Sequence, residues 1–257
     1  MLELDSCYMS EAGGRQRNED ACGQWQSATA GCWVLSDGAG GHGSGDIASR
    51  LVVGTVLHAF AAWPEVSMAR ALALLEDANA AVIAEKTSGM TRDDMHATAA
   101  ILLLDRARHC AVLAHVGDSR IYHFRQARIR SMTRDHSLVR QMVDAGFGDK
   151  GLLRSHPKRN LLTSALGVAG SMEMGVSSRP IHVEPGDVFL LCSDGWWEYL
   201  DEPEMEASLD RQSAGAGWLD EMAGTIRHRG APGHDNYSAA CVSSRDERTV
   251  LLGGAGG

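Results

Sequence analysis

Residues 34–48 read VLSDGAGGHGSGDIA, an apolar run that meets an aspartate and continues into a glycine-rich loop. Asp-Gly is a common turn dipeptide, because glycine adopts positive φ angles at little cost. A tight turn is therefore the simplest interpretation of Asp37-Gly38. The apolar residues that follow, from Ile47 onward, recur at helical spacing. The stretch predicts a buried strand that ends at Asp37, a permissive loop and a helix that begins near residue 45.

The size and charge of the chain exclude some classes of protein. With 257 residues, the chain is long enough for one large domain or two small ones with a substantial core. Its content of 44% hydrophobic and 22% charged residues is typical of a globular protein. The formal net charge of −9 argues against a protein that binds nucleic acid or anionic membranes by bulk charge. We expect no nucleic-acid partner.

The six cysteines lack the spacing of a disulfide framework or of a thiolate zinc site. Most lie within apolar runs such as FLLCSD and AACV, so we expect buried free thiols in a reducing compartment. The first residues lack the basic and apolar parts of a secretory signal. No apolar run approaches the roughly 20 residues of a membrane-spanning helix. A cytoplasmic location without a membrane span is expected.

The order of predicted elements indicates an α+β protein. Apolar runs bounded by turn residues predict strands at 32–36, 97–104, 109–116, 119–124, 187–193 and 237–242. Helical spacing predicts helices at 45–62, 67–87, 203–210 and 217–229, and a short helix at 137–144. Several strands follow one another without a helix between them. This order favours antiparallel sheets with helices packed outside over a doubly wound parallel sheet.

Four of the predicted strands carry an aspartate at one end. Three apolar runs end at Asp37, Asp118 and Asp194, and the last run follows Asp235. If these ends lie side by side, four negative charges converge. Like charges at such distances cost kilocalories each unless cations lie between them. The pattern therefore predicts a cation site where the strands end.

The candidate ligands are all oxygen donors. Glu19 and Asp20 join the four aspartates, and no histidine pair or thiolate cluster accompanies them. Oxygen ligands favour Mg²⁺ or Mn²⁺ over zinc or copper, and this many carboxylates exceed the charge of one divalent ion. Two ions roughly 3.5–4 Å apart would deprotonate a bridging water and place the hydroxide for in-line attack on phosphorus. Because Gly38 has no β-carbon, its carbonyl could approach an ion directly.

A candidate phosphate anchor lies beside two of these carboxylates. The stretch GGRQRNEDA at 13–21 places arginines directly before Glu19 and Asp20. The planar guanidinium of arginine suits paired contacts with phosphate oxygens. We assign this role to Arg15.

Eight motifs, in the same order, resemble the metal-dependent protein phosphatase family, the protein phosphatase 2C class, in its compact bacterial form. They are RQRNED (15–20), SDGAGGHGSG (36–45), TAAILLLD (98–105), HVGDSRIY (115–122), TRDHSLV (133–139), NLLTSALG (160–167), GDVFLLCSDGWWE (186–198) and HDNYSA (234–239). Each motif alone is weak evidence, whereas eight in order are specific. The resemblance implies a β-sandwich of two antiparallel sheets flanked by pairs of antiparallel helices, with a two-metal centre at one end.

The resemblance also implies roles for individual residues. Asp37 would bridge both ions, Asp194 and Asp235 would complete the first, and the Gly38 carbonyl would bind the second. Arg15 would bind the substrate phosphate.

Further ligands are implied in the same way. Glu19 and Asp20 would act chiefly through metal-bound waters. Asp118 would help to hold a third, weaker ion that shares Asp194.

One departure from the family pattern concerns the proton donor. Animal members have a histidine directly after Asp-Gly, proposed as the general acid for the leaving group, and this chain has Ala39 there. His42 lies three residues later. The acid is left open between His42, a metal-bound water and no protein group at all, and His42 also suits a structural role at the start of the following helix.

The resemblance implies a domain organisation. Residues 1–246 would form a single phosphatase domain, and a flap subdomain would occupy about 140–166 beside the active site. The glycine-rich tail at 247–257 is expected to be disordered. The flap contains a basic cluster that is either an ordinary solvated face or a surface that steers phosphoproteins: Lys150, Arg154, Lys158 and Arg159.

The leading hypothesis is a monomeric Mg²⁺- or Mn²⁺-dependent phosphatase for phosphoserine and phosphothreonine in proteins, acting without a covalent phosphoenzyme. Its partners would be phosphoprotein substrates and a bacterial Ser/Thr kinase that it opposes, with control of a secretion system as one setting. The alternative is a non-catalytic scaffold of the same fold that binds phosphoproteins. The full set of expected carboxylates favours the enzyme.

Overall fold

Two antiparallel sheets form the centre of the molecule in the computed structural model, which describes residues 1–40, 44–88 and 94–246. Sheet I has the strand order β1-β12-β11-β7-β8. Its strands are β1 (Leu2–Glu11), β7 (Arg120–Arg125), β8 (Arg128–Met132), β11 (Val188–Cys192) and β12 (Tyr237–Asp246).

Sheet II has the order β10-β6-β5-β3-β2, and two short strands pair with β3 and β6. Its strands are β2 (Asp20–Gln26), β3 (Ala30–Ala39), β4 (His96–Ala97), β5 (Ala99–Asp105), β6 (Cys110–Val116), β9 (Gly175–Val176) and β10 (Ile181–His182). The short strand β4 pairs with the end of β3, and β9 pairs with β6.

The helices cover the outer faces of both sheets. The long pair α1 (Gly45–Ala62) and α2 (Met68–Ser88) packs on sheet II, and α6 (Glu202–Gln212) and α7 (Ala216–Arg229) pack on sheet I. Three short helices complete the set: α3 (Leu138–Asp144), α4 (Leu152–Ser155) and α5 (Asp194–Trp197). None of the helices within the described ranges is long and apolar enough to cross a bilayer.

Side chains that point alternately to the two faces of each central strand explain the four layers, which are a helix pair, sheet II, sheet I and a second helix pair. In β3, Cys32 and Val34 pack under α1 and α2, whereas Trp33 and Leu35 point into the space between the sheets. Successive strand residues face opposite sides, so a strand covered on both sides needs an unbroken apolar run. The α+β sandwich predicted from the sequence is confirmed.

The sequence located most elements but misplaced some strand ends. The predicted helix at 45–62 is confirmed residue by residue. The prediction that the strand ends at Asp37 is wrong, because β3 continues to Ala39, where it pairs with β4. Strand β11 ends at Cys192, so Asp194 begins α5 instead of ending a strand. Strands β1 and β2 were missed because their many polar and half-buried side chains form no apolar run.

The segment 140–166, here called the flap segment, leaves the sandwich and returns to it. Its first helix, α3, begins after Ser137, whose side chain accepts a hydrogen bond from the Arg140 amide. Two isolated bridges, Ser137 with Leu162 and Ala97 with Leu166, attach its far end to the sandwich. The predicted tail at 247–257 lies outside the described residues.

Candidate active site

One cleft of about 260 Å³ collects most of the predicted site residues. Its walls include Arg15, Glu19, Asp37, Gly38, Asp118, Asp194 and Asp235. These residues come from both sheets, since Asp37 lies on β3 while Asp194 and Asp235 flank β11 and β12. Of the remaining predicted residues, Asp20 lies beside the cleft, and His42 is outside the described residues.

Asp20 faces Asp37 directly across the ladder between β2 and β3. Its carboxylate accepts a hydrogen bond of 2.8 Å from the Ser193 hydroxyl, which belongs to the loop before α5. The same serine hydroxyl accepts from the Ser238 amide on β12. Asp20 is therefore connected to the sheet I side of the cleft.

Thr98 holds the backbone of Asp37 in place, although it was not predicted as a site residue. Its amide donates to the Asp37 carbonyl at 2.8 Å, and its hydroxyl accepts from the Asp37 amide at 2.9 Å. That hydroxyl also lies 2.7 Å from the hydroxyl of Ser119, next to Asp118. Its signals in the sequence were its place in the apolar run 97–104 and at the start of the TAAILLLD motif.

Asn236 ties the loop before β2 to the end of β12. Its side-chain oxygen accepts from the Glu19 amide at 2.8 Å, and its side-chain nitrogen donates to the carbonyls of Ala12 and Arg17 at 2.9 and 2.8 Å. The loop that carries Arg15 is thus fixed beside Asp235. The residue was recognised only as part of the HDNYSA motif.

Burial and mutual repulsion disfavour ionisation of the carboxylates in the absence of cations. For Asp37, burial and then the charges of Asp20 and Asp194 raise the pKa well above its ordinary value. Burial and the charge of Asp118 act in the same direction on the pKa of Asp194. Burial, followed by the charge of Asp135, raises the pKa of Asp118 to about 7.

The cleft fits a group of divalent cations. The buried Oδ1 atoms of Asp20 and Asp194 have no hydrogen-bond partner among the described residues. A β-carbon on Gly38 would lie 1.9 Å from the Gly45 carbonyl oxygen, so only glycine leaves this wall of the cleft intact. A cation would relieve the repulsion that raises these pKa values, and carboxylate oxygens are ligands that Mg²⁺ and Mn²⁺ prefer.

The donor set also limits how such ions are held. Within the parts of the chain that the structure describes, no three acidic, histidine or cysteine side chains are already arranged as a complete metal site. Mg²⁺ commonly keeps several waters and takes only one or two carboxylates. An ion held by these carboxylates would keep part of its water shell.

Arg15 lies at the mouth of the cleft. Its guanidinium donates to the Asp235 carboxylate at 2.9 Å, and its side chain is 53% exposed. An exposed arginine held beside an acidic cleft can contact an incoming phosphate without moving far. Its role as the phosphate anchor stays a prediction.

A second, more apolar hollow of about 340 Å³ continues from the cleft along the flap segment. The two cavities share five wall residues: Ala39, His96, Asn160, Leu162 and Ala165. His96 was not predicted as a site residue. It lies directly opposite Ala39 in the ladder between β3 and β4.

Asp118 is supported by a buried aromatic and ionic cluster. The indole of Trp197 donates to the Asp118 carbonyl at 2.9 Å, and the guanidinium of Arg120 stacks 3.6 Å from the centre of the Trp197 ring. Arg120 also binds both oxygens of Asp135, at 2.8 and 2.7 Å. The tandem tryptophans at 196 and 197 are thus part of the core.

Two members of the predicted basic cluster attach the flap segment. Arg154 donates to the carbonyls of Trp197 and Leu200, and Arg159 pairs with Glu198. Both guanidinium groups are engaged in these contacts within the protein. Any steering of phosphoproteins by this cluster therefore depends on Lys150 and Lys158.

Comparisons with known proteins agree with this architecture. A family model described as protein phosphatase 2C matches residues 10–232. The serine/threonine phosphatase stp of Listeria monocytogenes serotype 4b (strain F2365) is 31% identical over 201 residues, which span 76% of this chain and 78% of that protein.

Solved structures support the same conclusion. The catalytic domain of the serine/threonine protein phosphatase PstP, in complex with two manganese ions, superposes with a TM-score of 0.78 at 26% identity, over 96% of this chain and 100% of that one. PppA, a key regulatory component of the T6SS in Pseudomonas aeruginosa, gives a TM-score of 0.73 at 30% identity, over 94% and 97% of the two chains. The chain therefore belongs to the protein phosphatase 2C family, and the enzyme is a metal-dependent protein serine/threonine phosphatase.

Proposed function

We propose that the enzyme hydrolyses phosphoserine and phosphothreonine esters in bacterial phosphoproteins with two Mn²⁺ or Mg²⁺ ions and without a covalent phosphoenzyme. The observation that carries this proposal is the convergence of Arg15 and the carboxylates from both sheets in one cleft. None of the six cysteines lines that cleft, which argues against a thiolate nucleophile.

The ligand roles implied by the resemblance are compatible with the cleft. Asp37 would bridge the two ions, Asp194 and Asp235 would bind the first, and the Gly38 carbonyl the second. When bound, the ions supply Lewis-acid activation of the attacking water and neutralise charge on the phosphoryl group. PstP in complex with two manganese ions supports the number of ions in this proposal.

Other carboxylates have supporting roles in the proposal. Glu19 and Asp20 would reach the ions through water, and Asp118 would take part in a third, weaker site. Thr98 fixes the backbone of Asp37 from one side, and Asn236 fixes the loop of Glu19 from the other. These contacts hold the acidic groups in place before any ligand arrives, and such preorganisation is a main source of catalytic power.

Arg15 binds the substrate phosphate in this proposal. Its ion pair with Asp235 is partly exposed and weak, so the guanidinium can exchange it for phosphate oxygens. The exchange orients the ester so that the alcohol faces the hollow along the flap segment. That hollow accommodates the polypeptide on either side of the phosphorylated residue.

We further propose that residues 1–246 form one phosphatase domain with its flap at about 140–166, and that the enzyme works as a cytoplasmic monomer. Its six free thiols fit a reducing compartment. A Ser/Thr kinase would phosphorylate the substrates that this enzyme dephosphorylates. The similarity to PppA supports control of a secretion system as one setting.

The test is turnover of a phosphothreonine peptide and of p-nitrophenyl phosphate by the wild type and Asp194→Asn, each with EDTA, Mg²⁺ or Mn²⁺. We expect activity only with metal, and a loss of at least 100-fold in the variant. Metal-independent turnover, or a fully active variant, would contradict the mechanism. Deleting the gene should raise threonine phosphorylation in the components of a secretion system. Unchanged phosphorylation of those components would contradict the proposed control of secretion.

A further inference from the structure

Departure of the serine or threonine oxygen is the difficult step in this reaction. Alkoxides are poor leaving groups, so a proton donor near that oxygen accelerates the step, commonly by 10²–10⁴-fold. Animal relatives have a histidine directly after Asp-Gly, and this chain has Ala39 at that position. A side chain that donates this proton would therefore have to come from elsewhere in the sequence.

The pairing of β3 and β4 brings a histidine to this space. Ala39 and His96 are direct partners in the antiparallel ladder. Direct partners project their side chains on the same face, with β-carbons roughly 5 Å apart. A histidine that is 57 positions away in the sequence therefore lies beside the position where animal relatives carry theirs.

The His96 ring is held against a fixed wall. Its Nδ1 is buried next to the backbone of Leu166 and Gly167, and a β-carbon at Gly167 would lie 3.5 Å from this nitrogen. Gly167 is itself held by the side chains of Asn79 and Lys86, each at 2.8 Å. The two nitrogens of an imidazole point in diverging directions, so Nε2 is directed away from this wall.

His96 also lies at the junction of the two cavities. It lines both the acidic cleft and the hollow along the flap segment. In the proposed function the cleft takes the phosphate and the hollow takes the polypeptide. The bond that breaks joins these two parts of the substrate. In that pose it crosses the junction that His96 and Ala39 line.

We infer that His96 is a catalytic residue that donates a proton from Nε2 to the leaving serine or threonine oxygen. This inference rests on the proposed function. As the phosphorus–oxygen bond breaks, its electron pair stays on the alcohol oxygen, and the imidazolium proton moves to that oxygen. The oxygen of a deprotonated water forms the new bond to phosphorus. The products are inorganic phosphate, a neutral alcohol and a neutral imidazole, which regains a proton from solvent before the next turnover.

The charge around the ring changes when substrate binds. In the free enzyme, burial and then the ammonium of Lys86 lower the pKa of His96, while Asp94 opposes this effect. A phosphoryl dianion bound in the cleft adds negative charge near the ring. The negative phosphoryl group is the charge that favours the protonated ring when substrate is bound.

The leaving group itself provides the test. p-Nitrophenolate departs without a proton, whereas the threonine oxygen needs one. Loss of the proton donor should therefore lower the single-turnover rate on a phosphothreonine peptide much more than the rate on p-nitrophenyl phosphate. For His96→Ala with saturating Mn²⁺ we expect the peptide rate to fall about 100-fold and the p-nitrophenyl phosphate rate by less than about threefold. His96→Gln, which keeps the size of the side chain, should show the same selective loss. His58→Ala, at an exposed position on α1, is the matched control.

The possible outcomes separate the two proposals. If the wild type hydrolyses neither substrate, the proposed function fails and this inference fails with it. If the wild type is active, equal losses on both substrates in the two His96 variants, or no loss, would overturn the inference alone. A selective loss in His42→Ala but not in His96→Ala would also overturn it. Calorimetry of Mn²⁺ binding should give unchanged affinity for His96→Gln, as expected for a residue that does not bind the ions.

Discussion

At the scale of single residues, Gly38 leaves no space for a side chain in the wall of the cleft. The nearest atom to an added β-carbon is a backbone oxygen, that of Gly45, which cannot rotate away. Gly45 is constrained in turn, since a β-carbon there would lie 2.6 Å from the Gly38 oxygen. The two backbones touch where β3 leads into α1, and side chains are excluded from the contact.

Gly38→Ala should therefore separate these backbones and disturb the carbonyl proposed as a ligand. We expect the free energy of unfolding to fall by about 1–3 kcal/mol and the affinity for Mn²⁺ by at least about tenfold. Urea unfolding and calorimetry measure these two quantities. The control is Gly54→Ala in α1, where a β-carbon meets nothing within 4 Å, and this change should stabilise by about 0.5–1 kcal/mol. A Gly38→Ala enzyme with normal metal affinity would show that the contact is dispensable.

At the scale of elements, an ionic cluster joins β7 to β11. Asp187, fully buried before β11, accepts two hydrogen bonds of 2.7 Å from Arg125 at the end of β7, and His123 lies 3.0 Å away. Burial raises the pKa of Asp187, but the hydrogen bonds from Arg125 and His123 outweigh it and hold the pKa below its ordinary range. The ionised form of Asp187 therefore contributes to the pairing of these strands.

The stability of the fold should depend on pH through Asp187. An unfolded aspartate titrates near pH 4. Because the folded-state pKa is lower, the stabilisation is fully present above about pH 4 and is lost as the pH falls toward the folded-state value. Asp187→Asn should lower the free energy of unfolding by about 2 kcal/mol at pH 7 and by progressively less below pH 4.

Urea unfolding between pH 3 and pH 7 measures this dependence. The matched control is Asp5→Asn, which removes an exposed carboxylate paired with Arg245 and should change stability by no more than about 0.5 kcal/mol. A constant difference between wild type and Asp187→Asn across this range would contradict the assignment.

Expectations at the level of elements were most accurate where periodicity was strong. The helix at 45–62 has a full stripe of apolar residues, and its two ends agree with the structure. Strand ends were less accurate, since β3 gains two residues from a partner that lies far away in the sequence. The site residues Thr98 and Asn236 were not predicted because their importance depends on hydrogen bonds to distant backbone groups.

At the scale of the whole molecule, the cleft joins the two sheets. Asp37 belongs to sheet II, whereas Asp194 and Asp235 flank strands of sheet I. Ions bound between these groups interact with the native state only, since unfolding separates the ligands. Binding of metal should therefore stabilise the entire fold.

We expect the melting temperature to rise by about 5–10 °C when Mn²⁺ is added at 100 times its dissociation constant, which corresponds to about 2.7 kcal/mol. EDTA should reverse the change. Differential scanning calorimetry of the wild type and Asp194→Asn provides the comparison, and the variant should show a much smaller shift. Equal shifts in both proteins would mean that Mn²⁺ binds outside this cleft.

The sequence by itself determined the order of most elements and which aspartates lie at the ends of apolar runs, and the family resemblance of its motifs implied the sandwich of two sheets between helix pairs. Apolar periodicity and residues at the ends of apolar runs are local properties, and local properties can be read along a chain. The tertiary structure alone decided which distant groups meet: Thr98 with Asp37, Asn236 with Glu19, and His96 with Ala39. The reason is that strand register depends on hydrogen bonds and packing between segments far apart in sequence, and a shift of one residue would turn His96 to the opposite face.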